Sequence, residues 1–345
     1  MSVPALAWLG LGVLLVAAAL TGIIWRISWA RGLLDVPNAR SSHVRATPRG
    51  GGLSIVIAVS AALLCLNWLG GVSGDLLLAL LGGGGAVALV GFLDDRHRMP
   101  AGIRLAVHVA AGCWALLCLG GLGPLAVGRH AVDLGWPGQA LALIAIVWAL
   151  NLFNFMDGID GIAASEAVFI VGGAAGLSVL RGHSLPPIEL LFCAACLGFL
   201  LWNWPPARIF MGDVGSGYLG YPIAVIALAA THGDATAVWI WLILGGVFFV
   251  DATLTLVRRA LRRERLHEAH RSHAYQWLAR RWGSHRRVTL GVLALNLLWL
   301  LPCAAIAALY PADAVWVALG ALSPLAAAAL AAGSGRGESR ESRQS

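Results

Sequence analysis

Aspartates stand at the ends of apolar runs in this 345-residue chain, with spacings that suit chemistry on charged substrates. Asp94 and Asp95 are adjacent at the end of one run, and Asn154, Asp157 and Asp160 stand at every third position at the end of another. Adjacent carboxylates repel each other, so holding both at a helix end normally requires a cation. Acidic residues at a helix C-terminus also oppose the helix dipole. We therefore interpret both stretches as functional, with a solvated helix end as the alternative.

Two more polar stretches lie between apolar runs. Asp213 stands among glycines before a helix, where backbone N–H groups can meet an anion, although no Lys completes a P-loop. His270, Arg271 and His273 lie in the most basic loop and indicate phosphate recognition, because Arg forks bind phosphate oxygens bidentately. A positive-inside anchor is the alternative for that loop. Asp251, inside an apolar run, is either functional or pairs with a nearby Arg to hold the loop.

The composition excludes a soluble protein. Hydrophobic residues make up 59% of the chain and charged residues 12%, about half of the share in a soluble domain. Disorder, a disulfide scaffold, a coiled coil and a nucleic-acid binder are excluded on the same ground. The net charge of +7 comes from Arg alone, since the chain has no Lys. The sequence therefore predicts an integral membrane protein whose first partner is the lipid bilayer.

Hydropathy predicts the positions of the spans. At about 20 residues per span, the apolar segments are 3–25, 52–70, 75–93, 103–122, 138–156, 162–180, 188–204, 215–231, 237–257, 288–310 and 314–333. We predict an all-α polytopic membrane protein with about eleven transmembrane helices, ten being the alternative count. Residues 1–333 are expected to form a single transmembrane catalytic domain, and 334–345 a mobile polar C-terminal tail.

The Arg residues predict the orientation of the spans. With the N-terminus outside, the inward loops hold 22 Arg residues, and the outward loops hold only Arg129 and Arg181. This asymmetry predicts a periplasmic N-terminus and a cytoplasmic C-terminus. All the dense polar stretches then fall on the inward side, so we expect an active site at the cytoplasmic face.

In order along the chain, these residues resemble the polyprenyl-phosphate N-acetylhexosamine-1-phosphate transferases (glycosyltransferase family 4). The family includes the translocase that starts lipid-linked peptidoglycan synthesis. The motifs are Asp35-x-Pro-x-x-Arg-x-x-His43, Thr47-Pro-Arg-Gly-Gly, Asp94-Asp95, Asn154-x-x-Asp157-Gly-Ile-Asp160-Gly, Phe210-Met-Gly-Asp213-x-Gly-Ser and His270-Arg-Ser-His-Ala-Tyr-Gln276. The resemblance covers most of the chain, from about Asp35 to Gln276.

The resemblance implies transfer of a sugar-1-phosphate from a UDP-N-acetylhexosamine to undecaprenyl phosphate, with UMP released and Mg2+ as cofactor. The residues implied as catalytic are Asp94, Asp95, Asp157 and His270. Those implied as substrate-binding are His43, Arg49, Asn154, Asp160, Asn203, Phe210, Arg271 and His273. Asp213 is the implied metal ligand, and one of the paired aspartates, Asp94 with Asp95 as the alternative, suits the second position because Mg2+ usually takes one or two carboxylates. Direct attack by the lipid phosphate is favoured over a covalent aspartyl intermediate.

Within the family, the His43 and His270 stretches look most like the branch that initiates O-antigen or other surface polysaccharides, using UDP-FucNAc, UDP-QuiNAc or UDP-GlcNAc. The implied location is the bacterial inner membrane, and a homodimer is left open. The peptidoglycan translocase is the alternative, although two departures argue against it: the family's Lys residues are absent and its three-His loop is reduced to two. A proton-coupled transporter is the alternative of a different class, but carboxylates crowded at one face do not favour it.

Overall fold

The computed structural model describes residues 2–37, 45–97, 99–265 and 270–337, and the helices below are those within these ranges. The α-helices, numbered in chain order, are α1 Val3–Ala30, α2 Leu53–Trp68, α3 Gly74–Leu78, α4 Gly84–His97, α5 Ala101–Leu119, α6 Gly135–Met156, α7 Ile162–Leu180, α8 Pro187–Asn203, α9 Asp213–Ala230, α10 Ala237–Leu244, α11 Gly246–Leu261, α12 Ala274–Trp282, α13 His285–Leu295, α14 Leu301–Leu309 and α15 Ala314–Ala332. Single π-helical turns, Ala79–Gly83 and Asn296–Leu300, join α3 to α4 and α13 to α14.

Strands are confined to two short antiparallel pairs in this part of the chain. Strand β1 (Leu34–Asp35) pairs with β2 (Thr47–Pro48), with Leu34 opposite Pro48. Strand β3 (Leu125–Val127) pairs with β4 (His130–Val132) in a hairpin between α5 and α6. The protein is therefore all-α in its architecture, and the strands only shape loops at the helix ends.

Length and apolar composition make the helices membrane spans, and the predicted all-α polytopic fold is confirmed. Eight helices are long and apolar enough to cross a membrane, counting α3–α4 and α13–α14 as one each, and α10 with α11 adds a bent ninth. The helices α2 and α8 are apolar but shorter, with 16 and 17 residues. Each of the eleven predicted segments thus corresponds to a helix or helix pair, while the number that cross and their orientation stay predictions.

The segment predicted as one span over 237–257 is broken. Its two halves, α10 and α11, meet at 75°. Two consecutive glycines, Gly245 and Gly246, stand at the break, and glycine is a poor helix former. A Cβ at Gly246 would lie 2.7 Å from the Leu322 side chain of α15, so the bend brings the backbone against its neighbour. The bend separates α10 from α11, the half that carries Asp251.

The prediction of a mobile tail from residue 334 is wrong for its first residues. Ser334 is fully buried, and Gly333 and Gly335 are buried on either side of it. Gly333 ends α15 with a positive φ of 102°, which turns the chain back against the bundle. Polar composition suggested exposure, but these small residues fit between α11 and α12.

Glycines bring the central helices together. The most buried span is α9, which packs between α4 and α6. A Cβ at Gly91 of α4 would lie 2.4 Å from the carbonyl oxygen of Asp213, and one at Gly220 of α9 would lie 2.3 Å from that of Ala149. Only glycine fits at such contacts, which small residues allow in membrane bundles. The crossing at Gly91 places the C-terminal end of α4 beside the N-terminal end of α9, at what we call the site end of the bundle.

Candidate active site

Arg49 joins two aspartates at the site end. Its Nε lies 2.9 Å from Asp95 Oδ1, and its Nη2 donates to Asp213 Oδ1 at 2.7 Å. Burial alone lowers the pKa of Arg49, but the carboxylates of Asp213 and Asp95 outweigh it and raise that pKa. The guanidinium is therefore permanently charged and holds α4 and α9 together.

Backbone pairing fixes Arg49 in that position. Arg49 follows β2, whose Pro48 carbonyl accepts a hydrogen bond from the Phe210 amide at 2.8 Å. Gly51 and Gly52 donate in turn to the carbonyls of Phe210 and Met211. The Thr47-Pro-Arg-Gly-Gly and Phe210-Met-Gly-Asp213 stretches are thus laid side by side. Their pairing explains how two motifs far apart in sequence bring an arginine to an aspartate.

The adjacent aspartates of α4 have different partners. Both Asp95 oxygens accept backbone hydrogen bonds, from the Asp213 amide at 2.9 Å and the Val214 amide at 3.1 Å. Asp95 therefore caps the N-terminus of α9, where a carboxylate is favoured by the helix dipole. Asp94 accepts from the Met99 amide at 2.5 Å and from Arg104 of α5. The two carboxylates tolerate each other because each has its own cation and amides.

Asp157 is less tied than its neighbours. It follows the last residue of α6, and its carboxylate accepts no hydrogen bond within the described residues. Burial, and then the negative charge of Asp213, raise the pKa of the Asp157 carboxyl well above its usual range. One turn before it, Asn154 donates to the Ser216 hydroxyl of α9 at 3.3 Å. Asp157 is therefore the carboxylate of this centre that is open to a cation or proton.

Asp160 and Asn203 shape the loop beyond Asp157. The Asp160 carboxylate accepts from the Ala207 amide at 3.0 Å and lies 3.2 Å from His285 Nδ1. Asn203 is 3% exposed, accepts from the Gly161 amide and donates to the Ile209 carbonyl, both at 2.9 Å. These contacts hold the loops after α6 and α8 against each other. His285 was missed by the sequence analysis, since nothing in its spacing points to Asp160.

Asp251 holds the loop that carries the histidines. Its carboxylate accepts from the Ala274 amide at 2.8 Å and the Tyr275 amide at 3.2 Å, so it caps α12. The sequence analysis left a functional role or pairing with an Arg open, and the structure shows a loop-holding role through backbone amides instead. Tyr275 then donates to the Phe155 carbonyl at 2.9 Å, which ties α12 to the end of α6.

His270 and His273 lie close together, with ring centroids 4.9 Å apart. His273 is buried, stacks on Phe155 and Tyr275, and has its Nδ1 3.8 Å from Asp251. Burial, and then the neighbouring His273, lower the pKa of His270 to about 3. A neutral imidazole suits hydrogen bonding to a substrate better than proton transfer near neutral pH.

Three cavities meet at this centre. The polar cavity, of about 230 Å³, contains Asp157 and Asp213. The apolar groove, of about 820 Å³, runs between α5, α6 and α11 past Trp148 and shares Asn154 and Asp213 with the polar cavity. The basic cavity, of about 920 Å³, shares Asp160 and His285 with it. The carboxylate centre thus lies between the apolar groove and the basic cavity.

The cavities group the predicted residues. The predicted residues that line the polar cavity are Arg49, Asn154, Asp157, Asp160, Asn203, Phe210 and Asp213. His270 and His273 line the apolar groove, and Arg271 lines the basic cavity. Asp94 and Asp95 lie beside this cavity: Asp95 accepts from the Asp213 amide, and Arg104, which binds Asp94, lies 3.6 Å from Asp213 Oδ2. His43 lies outside the described residues.

The donor set bears on the expected metal ion. No group of three His, Cys, Asp or Glu side chains is arranged to hold a metal in the part of the chain described. Mg2+ needs fewer, because phosphates and waters complete its shell. Asp94 is a poor second ligand, since both of its oxygens already accept hydrogen bonds. The oxygens of Asp157 and Asp213, in one cavity, fit the ion better.

The described residues thus form a polytopic helical bundle with an aspartate–arginine centre between the apolar groove and the basic cavity. Residues 77–231 match the family model described as glycosyl transferase family 4. The chain belongs to this family, that of the polyprenyl-phosphate N-acetylhexosamine-1-phosphate transferases. It is thus a multi-pass membrane phosphotransferase of the sugar-1-phosphate kind.

Relatives in three bacteria are 30 to 33% identical to this chain over the aligned residues. A Bacillus subtilis protein named probable undecaprenyl-phosphate N-acetylglucosaminyl 1-phosphate transferase is 30% identical over 83% of this chain and 80% of its own length. The decaprenyl-phosphate N-acetylglucosaminephosphotransferase of Mycobacterium tuberculosis is 30% identical over 83% and 78%. A phospho-N-acetylmuramoyl-pentapeptide-transferase of Synechococcus elongatus is 33% identical over 63% and 62%.

Proposed function

We propose that this protein transfers N-acetylhexosamine-1-phosphate from a UDP-sugar to undecaprenyl phosphate and releases UMP. The observation that carries the proposal is the position of the polar cavity, which joins the apolar groove at Asp213 and the basic cavity at Asp160. An apolar groove suits a polyprenyl chain, a basic cavity suits a nucleotide diphosphate, and the carboxylates lie between them. Each substrate then reaches the centre from its own side.

The acceptor binds in the apolar groove. Leu105, Val109, Leu143, Ile144, Val147 and Leu256 line it. Arg104, also in its lining, lies at the end where Asp213 is shared with the polar cavity, and its guanidinium attracts the lipid phosphate. The tail stays in an apolar environment while its phosphate meets the reacting centre.

The donor binds in the basic cavity. Arg45, Arg271, Arg280 and Arg286 line this space. Asp160 and Phe210, shared with the polar cavity, mark the path by which a diphosphate extends toward Asp213. Arginine forks fit phosphate oxygens bidentately, which favours a diphosphate over a neutral sugar as the bound group.

In the reaction, an oxygen of the lipid phosphate attacks the phosphorus that carries the sugar. A new phosphoanhydride forms as the bond to UMP breaks, so the step needs no ATP. A phosphomonoester has its second pKa near 6, so the acceptor is mostly a dianion at neutral pH and needs no strong base. Repulsion between the anions is the main barrier, and Arg49 and Arg104 lower it.

Mg2+ is proposed as the cofactor, held by Asp157 and Asp213. When bound, it would neutralise charge on the phosphate oxygens. Asp95 and Arg49 keep the Asp213 carboxylate in place whether or not the ion is present. The pair Asp213 and Asp94, expected from the sequence, is the alternative ligand set.

GlcNAc is the sugar with most support, because the Bacillus and Mycobacterium relatives, aligned over 83% of this chain, are named for it. The polymer initiated is O-antigen or another surface polysaccharide. The muramoyl-pentapeptide donor of the Synechococcus relative's name is the alternative. The reaction is proposed to take place at the cytoplasmic face of a bacterial inner membrane, an orientation that the Arg-rich loops favour.

The test is UMP release by the purified protein with undecaprenyl phosphate, Mg2+ and a panel of UDP-N-acetylhexosamines. We expect lipid-dependent release with one donor, and none from Asp213→Asn. The matched control is Asp234→Asn, because Asp234 also pairs with an arginine, Arg181, but lies at the opposite end. Absence of release with every donor from folded protein would refute the proposal. Exchange of labelled UMP into UDP-sugar without lipid phosphate would favour the covalent route instead.

A further inference from the structure

The segment that follows α15 does not leave the bundle. Gly333, Ser334 and Gly335, which we call the strap, are buried between α11 and α12. A Cβ at Gly333 would lie 3.2 Å from the Trp277 ring of α12, and one at Gly335 would lie 2.8 Å from Arg258 Cβ of α11. The strap therefore fills a narrow space that larger residues cannot enter.

Side chains of α11 hold the strap along its length. Ser334 Oγ lies 2.8 Å from Thr255 Oγ1 and donates to the Asp251 carbonyl at 3.3 Å. Arg258 donates to the Ser334 carbonyl at 2.5 Å, and Arg262 donates to the Gly335 carbonyl. Arg258 in the last turn of α11 and Arg262 just beyond it are thereby committed to backbone oxygens of the strap, which a general topology signal does not require.

The strap in turn contacts the histidine loop. The Gly335 amide donates to the Ser272 carbonyl at 2.7 Å. The Ser272 hydroxyl lies 2.9 Å from His270 Nδ1. Asp251 holds the other side of this loop through the amides of α12. The strap therefore holds Ser272, whose neighbour Arg271 lines the basic cavity and whose hydroxyl contacts His270 in the lining of the apolar groove.

We propose that the strap is a positioning element, which fixes the loop from His270 to His273 and with it Arg271, which lines the basic cavity proposed for the donor. The identity of the bound substrate rests on the proposed function, but the ordering of the loop by the strap does not. A loop of irregular backbone loses conformational freedom when it binds a ligand. The strap orders the loop beforehand, so the donor binds without that cost.

Gly335→Ala tests the strap, with Gly337→Ala as the matched control. Gly335 has a positive φ of 65° and no room for a Cβ, whereas a Cβ at Gly337 meets nothing within 4 Å. We expect Gly335→Ala to raise the KM for UDP-GlcNAc about tenfold, the effect of one lost hydrogen bond. The KM for undecaprenyl phosphate should rise less than that for UDP-GlcNAc. The thermal unfolding midpoint should fall, because the added Cβ has no room beside Arg258.

Limited trypsin cleavage reports on the loop independently of activity. Cleavage after Arg271 should be about tenfold faster in Gly335→Ala than in wild type or Gly337→Ala, because the loop opens more often. Equal cleavage in the two variants would overturn the strap inference, whatever the activity. Faster cleavage in a protein whose wild type releases no UMP would keep the strap contact and refute the proposed function.

A second pair of variants applies if Gly335→Ala does not fold. Ser334→Ala removes the hydroxyl that contacts Thr255 and the Asp251 carbonyl. Ser323→Ala, an exposed hydroxyl on α15 bonded to its own helix, is the control. We expect Ser334→Ala, and not Ser323→Ala, to raise the KM for UDP-GlcNAc and to speed trypsin cleavage after Arg271. Equal values for the two variants would overturn the inference.

Discussion

Asp95 and Asp251 each cap a helix at the site end, but different partners balance their charges. Asp95 receives the first two amides of α9 and also binds Arg49 at 2.9 Å. Asp251 receives the first two amides of α12, with the imidazole of His273 at 3.8 Å as its nearest ionisable partner. One cap therefore has a permanent cation, and the other relies on amides and hydroxyls.

The difference separates two halves of the site. The fixed half consists of Arg49, Arg104 and the aspartates of α4 and α9, and the adjustable half consists of the histidine loop with Asp251 and the strap. Arg49 and Arg104 bind the carboxylates of α4 and α9 from outside both helices, so the reacting centre is cross-linked by ion pairs. The histidine loop is held by Asp251 on one side and by the strap on the other. We infer that substitutions in the first half damage catalysis, whereas those in the second half mainly weaken donor binding.

Arg49→Lys is expected to have the largest effect on this contrast. Lysine cannot bridge Asp95 and Asp213 with two separate nitrogens in fixed geometry. Loss of a preorganised charged donor lowers kcat by about 10²–10³. Steady-state UMP release measures it, and Arg181→Lys, which alters an ion pair at the opposite end, is the control. An unchanged kcat would mean that the bridge is not part of the catalytic geometry.

Asp95→Asn is expected to come next. The side-chain oxygen of asparagine can accept a hydrogen bond from one of the two α9 backbone amides, but its NH₂ group faces the other. Arg49 also loses one of its counter-ions. We expect unfolding to be easier by about 2 kcal/mol, with kcat lowered more than the donor KM is raised. Denaturant unfolding and steady-state kinetics give the two values. A change in donor KM alone would contradict the assignment of Asp95 to the fixed half.

Asp251→Asn is expected to show the opposite balance. Loss of one amide contact at a helix cap costs about 1 kcal/mol, so the donor KM should rise about fivefold while kcat changes little. Asp133→Asn is the control, because Asp133 also accepts a backbone amide, from Gly135, at an exposed position. If kcat falls as far as in Asp95→Asn, the two halves are not distinct.

His270→Gln is expected to have the smallest effect and to keep the pH profile. A pKa of about 3 leaves His270 neutral at every pH above about 4. It therefore titrates outside the working range, and glutamine retains hydrogen bonding. We expect kcat/KM to fall several-fold, while the acid and base limbs of its pH profile between about pH 5.5 and 8 stay unchanged. His183→Gln, at an exposed position, is the control. Disappearance of an acid or base limb would assign His270 to proton transfer.

The spans and the gathering of carboxylates were predictable from sequence for a simple reason. A run of about 20 apolar residues has few alternatives to a membrane helix, and aspartates at the ends of such runs must lie near a membrane surface. The all-α fold follows from the first point, and the shared cavity of Asp157 and Asp213 agrees with the second.

The partners of those carboxylates were not predictable, because they depend on which helices cross. Nothing near Asp95 in sequence shows that it caps α9, more than a hundred residues later. The bend at Gly245 depends on α15 packing against its partner glycine, and polar Ser334 is buried only because α11 supplies hydroxyl and guanidinium partners. Local composition contains no information about either.

Gly91 shows what this precision means for engineering the protein. Replacing a helical glycine by alanine is a common route to higher stability, with a gain near 1 kcal/mol in an isolated helix. At Gly91 the added methyl would collide with the Asp213 carbonyl, 2.4 Å away, and push α4 from α9. The spacing of the reacting carboxylates thus depends on the absence of a side chain at Gly91, and thermostabilising libraries should leave that position unchanged.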